Sequence, residues 1–346
     1  MTALVPTDVA NDLIVAKFHT EGGAALDELR LRYRIIGDPA AAQRNGWILV
    51  FHALTGSADV EAWWGDLVGP GRPLDTERHA IIAANLPGSC YGSSGPLDDP
   101  GFPALTPADM ARAHVPLLAQ LGVERLALAT GGSLGGMVAL HWGRLTPVPT
   151  DRLVVFAAPA ATSAQAIAWN AVQRLAIEAD PRWREGRYRA GEGPDAGLAA
   201  ARAIAMITYR SAAEFAQRFG RRSTRSAERF DVEHYLRRQG DKLVERFDAR
   251  SYVALMGAMD RHDMGDLARA AAATRERVRR VIGVGIDSDI LYYPDEVRAW
   301  VQAYRAAGCA AQYEEIRSIY GHDAFLIEFE QVARILQEPG ASETGR

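Results

Sequence analysis

Two hydrophobic patterns alternate along the chain. Short, nearly continuous apolar runs occur at residues 47–51 (WILVF), 80–84 (AIIAA), 126–130 (LALAT), 153–157 (LVVFA) and 278–284 (VRRVIGV). Runs of this length with no polar alternation predict strands of a parallel sheet covered on both faces. Between them, apolar residues recur at helical spacing over 107–121, 134–145 and 296–307. The first helix opens on Thr106-Pro107 and closes at Gly122, and the third closes at Gly308, which are ordinary start and stop signals. A final strand is predicted within 311–319 (AQYEEIRSI), followed by a terminal helix. Strand–helix–strand alternation implies an α/β fold with right-handed crossovers.

The alternation stops between about 160 and 274. No strand is evident there, and the spacing predicts helices over 163–177, 196–209, 232–248 and 250–260, with a polar, glycine-rich loop at 180–195 (DPRWREGRYRAGEGPD). A helical block set between two strands reads as a cap over one edge of the sheet. The expected organisation is a core of 1–159 and 275–346 with a lid insertion of 160–274. No internal repeat is found, and the tail EPGASETGR is expected to fray.

Composition narrows the class. With 346 residues, 48% apolar and 24% charged, the chain is that of a globular protein with ample core. Its net charge of −4 provides no field to attract nucleic acid or an anionic membrane, so neither is an expected partner. The two cysteines, Cys90 and Cys309, read most simply as free thiols in a reducing compartment. No apolar run reaches eighteen residues and the N-terminus has no secretory pattern, so a cytoplasmic location is expected.

Candidate chemistry centres on LALATGGSLGGM at 126–137. A strand runs into Gly131-Gly132-Ser133-Leu134-Gly135 and then a helix, the context in which G-x-S-x-G forms a nucleophile turn. Ser133 would stand at a helix N-terminus, where backbone N–H groups stabilise developing negative charge. There is no P-loop lysine and no G-x-G-x-x-G spacing. A serine nucleophile needs a base and an orienting acid, in the order acid then His along such folds. Asp287 and Asp289 both follow the strand at 278–284, and His322 follows the last strand. His52, just after the first strand, is placed to orient an oxyanion loop. The other histidines read as surface or core residues, and none has zinc-site spacing, so no metal is expected.

These segments resemble the homoserine O-acetyltransferase family. His52–Ser57 (HALTGS) is similar to that family's HALTG loop, and 85–96 (NLPGSCYGSSGP) to its glycine- and serine-rich segment, with Gly88-Ser89-Cys90 where the family has Gly-Gly-Cys. Residues 64–75, Gly131–Met137, 288–291 (SDIL), 321–326 (GHDAFL), Trp169-Asn170 and 201–211 (ARAIAMITYRS) fit as well, with Leu134 standing for the usual Met. The resemblance spans about 15–338 and implies an α/β-hydrolase fold, a mostly parallel sheet with an inserted helical lid. It implies Ser133, Asp289 and His322 as the catalytic triad, the Leu54 and Leu134 backbone N–H groups as the oxyanion hole, and Arg202 and Asp323 as substrate-binding residues. A guanidinium suits an α-carboxylate and a carboxylate suits an α-ammonium. The implied reaction is ping-pong transfer of acetyl from acetyl-CoA, a co-substrate and not a resident cofactor, to L-homoserine for methionine synthesis, by a homodimer formed through lid helices. Serine as acceptor, succinyl-CoA as donor, or ester hydrolysis are the alternatives.

Overall fold

In a computed structural model of the protein, which describes residues 10–224 and 228–337, eight strands form one sheet in the order β1-β2-β4-β3-β5-β6-β7-β8. The strands are β1 (Asn11–His19), β2 (Ala25–Gly37), β3 (Trp47–Phe51), β4 (Ala80–Ala84), β5 (Leu126–Gly132), β6 (Thr150–Phe156), β7 (Val278–Ile286) and β8 (Ala311–Ile316). From β4 onward across the sheet all neighbours are parallel; β1 and β2 form an antiparallel hairpin, and β2 pairs antiparallel with β4. The tail expected to fray, 338–346, lies outside the described residues.

The apolar runs predicted as strands are strands. The hairpin at 11–37 is an addition, and its residues explain why. From Leu29 to Ile35 every second position is buried (Leu29, Leu31, Tyr33, Ile35) and arginines fill the alternate face; Ile36 is buried where the strand ends. It is a half-exposed antiparallel edge, not a continuous apolar run. β6 begins three residues before its apolar stretch, at Thr150, because the polar Thr-Asp-Arg start still pairs with β5 and β7.

Alternate strand residues feed two cores. Leu49, Phe51, Ile82 and Leu126 face one side, and Ile48, Val50, Ile81 and Leu128 face the other. Helices Pro107–Gln120, Leu134–Leu145, Leu267–Arg275 and Pro294–Ala306 cover the first face; Phe329–Gln337 and the segment around Trp64 cover the second. The Thr106 hydroxyl caps the first of these helices in a reciprocal box with Asp109, as its sequence predicts.

The chain leaves the sheet after β6 into helices Ala164–Glu178, Asp195–Thr208, Ala212–Arg218, Asp231–Val244 and Ala249–Asp260. Helix Asp195–Thr208 packs between Ala164–Glu178 and Asp231–Val244. The outgoing and returning strands of this insertion lie side by side. Ala161 bridges Asp263, Thr162 N–H donates to His262 O at 3.0 Å, and Met264 N–H donates to Ala160 O at 2.8 Å. Helix Leu267–Arg275, expected in the lid, instead buries Ala270, Ala271 and Thr274 against helices Leu134–Leu145 and Pro294–Ala306. The insertion therefore ends at this stem and not at 274. His262 seals the stem: its Nε2 bonds Pro159 O at 2.8 Å and its Nδ1 lies 3.2 Å from His141 Nε2. Burial pushes His141 down to about 2 and His262 down to about 4, so both are neutral core histidines. Cys90 and Cys309 are free thiols.

The central sheet is tightly covered. A Cβ on Gly283 of β7 would overlap Val301 Cγ2 and sit 2.6 Å from Trp300 Cζ2. Gly283→Ala should destabilise the protein by about 1–3 kcal/mol, read as a lower urea midpoint at unchanged slope; an unchanged midpoint would show that the helix yields freely.

Candidate active site

β5 delivers Ser133 on a sharp turn. The serine backbone has φ 57° and ψ −124°, a strained conformation for a residue with a side chain. Its neighbours must be glycine for steric reasons. A Cβ on Gly131 would lie 2.5 Å from Gly135 O and 2.8 Å from Phe51 O. One on Gly135 would overlap Phe51 O and lie 2.8 Å from His52 O, and one on Gly132 would overlap the Phe325 ring. The helix Leu134–Leu145 thus starts directly against the end of β3, with Ser133 at its N-cap position.

The loop after β3 is fixed by His52. Its Nε2 accepts from Leu86 N–H at 2.9 Å, so its Nδ1 carries the proton and donates to Ala53 O at 2.8 Å. Burial holds this imidazole down at about 4, neutral and in one tautomer. Asn85 braces the same region, accepting from Ala58 N–H and donating to Tyr91 O, both at 2.7 Å. Leu54 and Leu134 are buried, and among the described residues no acceptor takes the N–H of either. One unengaged donor follows Ser133 at a helix N-terminus and the other lies on the braced loop after β3; buried N–H groups without acceptors are the kind of donor an oxyanion hole uses. From the lid, Arg246 reaches down to this loop, donating to Thr55 O and to the Tyr91 hydroxyl, each at 2.7 Å.

β7 and β8 deliver the other two residues. Asp289 is buried, and its Oδ1 accepts from Leu291 N–H (2.8 Å) and Tyr292 N–H (3.1 Å). Its Oδ2 accepts from His322 Nδ1 at 2.7 Å. Asp287, the other acid left open by the order of residues, is exposed and accepts from Ser318 N–H instead. With Nδ1 engaged, His322 Nε2 is buried and unpartnered. Phe325 packs edge-on to the His322 ring at 5.8 Å while its own ring fills the space beside Gly132, so one phenyl ring touches both the imidazole and the serine turn. Tyr209 and Tyr292 complete the aromatic wall around His322 at 5.7 and 5.2 Å. Burial is the largest influence on His322 and pushes its pKa down, but attraction to Asp289, their hydrogen bond and the field of Asp323 together raise it above the ordinary value.

Arg202, on helix Asp195–Thr208, stacks over Tyr209 at 5.4 Å and makes no hydrogen bond or ion pair among the described residues. Asp323 lies beside His322, its side chain largely buried, with its Oδ2 3.1 Å from Arg210 Nη2. Burial raises the Asp323 carboxyl, against the pull of Arg210, Arg202 and His322. Asp289, Asp323 and Arg202 thus lie around the His322 imidazole, the start of helix Leu134–Leu145 after Ser133 meets the His52 end of the β3 loop, and Phe325 touches both groups. The structure adds Tyr209, Phe325, Arg210 and Arg246. Those arginines had no distinguishing signal in a lid already rich in arginine. Tyr209-Arg210 lies inside a family-like segment but marks no role by its pattern. Among the described residues, no group of three His, Cys, Asp or Glu side chains is arranged to hold a metal, and no helix is long and apolar enough to cross a membrane.

A base must be neutral to accept a proton. Phosphonylation of Ser133 by a fluorophosphonate should therefore be lost as pH falls through a value above 6.5, the usual histidine pKa. Asp289→Asn removes the influence that raises His322, so its acid limb should move to lower pH while the rate falls about 10³- to 10⁴-fold. A limb that stays in place would remove Asp289 from this role.

Residues 46–328 match the alpha/beta hydrolase fold family. The homoserine O-acetyltransferase of Moorella thermoacetica is 44% identical, over 92% of this chain and 92% of its own. The solved homoserine O-acetyltransferase from Staphylococcus aureus is 27% identical and superposes with a TM-score of 0.78 over 97% of both chains. Esterase E22, 20% identical, superposes with a TM-score of 0.85 over 95% of this chain and 98% of its own, and shares the fold. A serine elbow, a buried Asp–His pair and 44% identity over 92% of its length place the chain in the homoserine O-acetyltransferase family of the alpha/beta hydrolase fold.

Proposed function

We propose that this enzyme transfers acetyl from acetyl-CoA to the side-chain hydroxyl of L-homoserine by double displacement through Ser133. His322, oriented by Asp289, takes the Ser133 proton as Oγ attacks the thioester carbonyl. The N–H groups of Leu134 and Leu54 hold the tetrahedral oxyanion, and the thiol of coenzyme A leaves with the proton from His322. The same imidazole then deprotonates the homoserine hydroxyl, which attacks the acyl carbon; the bond to Ser133 Oγ breaks, Oγ takes the proton back from His322, and O-acetyl-L-homoserine, a precursor for methionine synthesis in the cytoplasm, is released.

The observation that carries this reading is the pair of opposite charges flanking the base: Arg202 with no ion partner, and Asp323 with one carboxylate oxygen open. A zwitterionic amino acid spans such a pair, carboxylate to Arg202 and ammonium to Asp323, which brings its hydroxyl to the acyl carbon at high effective concentration. The lid over the site restricts water, the competing nucleophile. Exposed Ile167, Val172 and Leu175 on helix Ala164–Glu178 support a second copy docking on the lid.

Without acceptor, acetyl-CoA should acetylate Ser133 and stop after one equivalent of thiol; Ser133→Ala should give none. With acceptors, L-homoserine should outpace L-serine, and acetyl-CoA should outpace succinyl-CoA; continuous thiol release independent of any amino acid would make the enzyme an esterase. Arg202→Met should raise KM for homoserine about tenfold or more with far less effect on thiol release, since a charge-assisted contact made to the acceptor alone is lost. Leu175→Glu should turn a dimer into monomers in sedimentation; an unchanged mass would place the interface elsewhere.

A further inference from the structure

Asp323 is approached by two arginines, and only one of them pairs with it. Arg210 Nη2 sits 3.1 Å from Oδ2, and both side chains are largely buried, at 15% and 17% exposure. Arg202 faces the same carboxylate closely enough to influence it but makes no ion pair. Oδ1 of Asp323 has no hydrogen-bond partner among the described residues.

Arg210 is held in place from behind. Its Nη1 donates to both oxygens of Glu214 at 3.2 Å. Glu214 is buried in the first turn of helix Ala212–Arg218, its N–H donates to the capping Ser211 hydroxyl (3.1 Å), and its carboxylate also receives Arg218 at 3.3 Å. Ser211 in turn donates to Ile319 O, and Asp323 N–H donates to Tyr209 O at 3.3 Å. Gly321, at φ +64°, passes so close to this segment that a Cβ would lie 2.8 Å from Tyr209 O and 2.9 Å from Ser211 N. The lid segment 209–211 is thereby fastened to the loop carrying His322 and Asp323.

This geometry solves a problem of charge. A buried carboxylate between a histidine and two arginines would bind the nearer free cation. If that cation were Arg202, both anchors of an amino-acid acceptor would neutralise each other and the socket would close. We infer that Arg210 is a positioning residue for the acceptor: it occupies Asp323 Oδ2, keeps the carboxylate charged, presents Oδ1 to the acceptor's ammonium, and leaves Arg202 free for the acceptor's carboxylate. This rests on the reading of Arg202 and Asp323 as the acceptor's two anchors.

The test uses the full-length enzyme as Arg210→Met and Arg210→Lys, with L-homoserine and with 4-hydroxybutanoate, which keeps the hydroxyl and carboxylate but lacks the ammonium. In Arg210→Met, kcat/KM for homoserine should fall about tenfold to a hundredfold, mostly through KM. The loss with 4-hydroxybutanoate and in thiol release without acceptor should be far smaller, so the preference for the amino acid collapses. Arg210→Lys should restore part of it. The acid limb of homoserine transfer should also move to higher pH. The groups facing Asp323 are Arg210, Arg202, His322 and Asp289, with Glu214 and Tyr235 behind Arg210. Removing Arg210 takes away the largest of the influences that keep the carboxyl ionised, while His322 keeps Asp289. Equal losses with both acceptors and in acylation would mean that Arg210 only packs the lid, and an unchanged KM for homoserine would equally overturn the inference. Asp323→Asn separates the two readings: if it keeps its preference for homoserine, the assignment of Asp323 as an anchor fails, whereas if it loses that preference and Arg210→Met does not, only the role of Arg210 fails.

Discussion

The close approach of one helix start to one strand end governs the site. Helix Leu134–Leu145 begins against the carbonyls of Phe51 and His52, at a separation that no Cβ on Gly131 or Gly135 would tolerate. That contact goes with the strained turn at Ser133 and sets the start of the helix, with its unengaged Leu134 N–H, against the end of β3 that leads into the loop of Leu54. The strain persists because its surroundings over-determine it: Ser133 N–H donates to Phe156 O at 3.0 Å, and Phe325 fills the space beside Gly132. His52, neutral and locked in one tautomer, then fixes the loop that must face the serine.

Charge is distributed with equal economy. A single imidazole has Asp289 on its Nδ1 edge and Asp323 next to it in sequence. Two carboxylates would make it too basic if both were uncompensated. Asp323 is instead the first member of an alternating row, Asp323–Arg210–Glu214–Arg218, that runs outward to the exposed Arg218. Because buried ion pairs carry a large desolvation cost, such a row gives geometry more than it gives stability. It also joins lid to core, since Arg210 of the lid pairs with Asp323 of the loop that carries His322.

The fold itself does not distinguish transfer from hydrolysis. Esterase E22 shares nearly the whole architecture at 20% identity. An elbow serine with an Asp–His pair serves both chemistries. On the reading proposed above, transfer depends on what surrounds the base: a free guanidinium at Arg202 and an aromatic wall at Tyr209, both from the lid, and the Asp323 carboxylate on the core loop that carries His322.

Much of this was legible in the chain. Continuous apolar runs located the parallel strands, because a strand buried on both faces has nowhere to put a charge. The glycines around Ser133 marked the elbow, because only glycine fits a backbone contact that close. Strand order placed an acid and His322 at the same sheet edge. The hairpin at 11–37 was hidden because its strands are half-exposed and mix charge with apolar residues. The preference for Asp289 over Asp287 depended on which carboxylate the turn after β7 buries, two residues apart in sequence and opposite in exposure. The choice of Arg210 among the many arginines of the lid was invisible for a similar reason. A guanidinium takes its role from what it meets, and the partners of Arg210, at Glu214 and Asp323, are brought together only when segment 209–211 docks on the loop that carries His322.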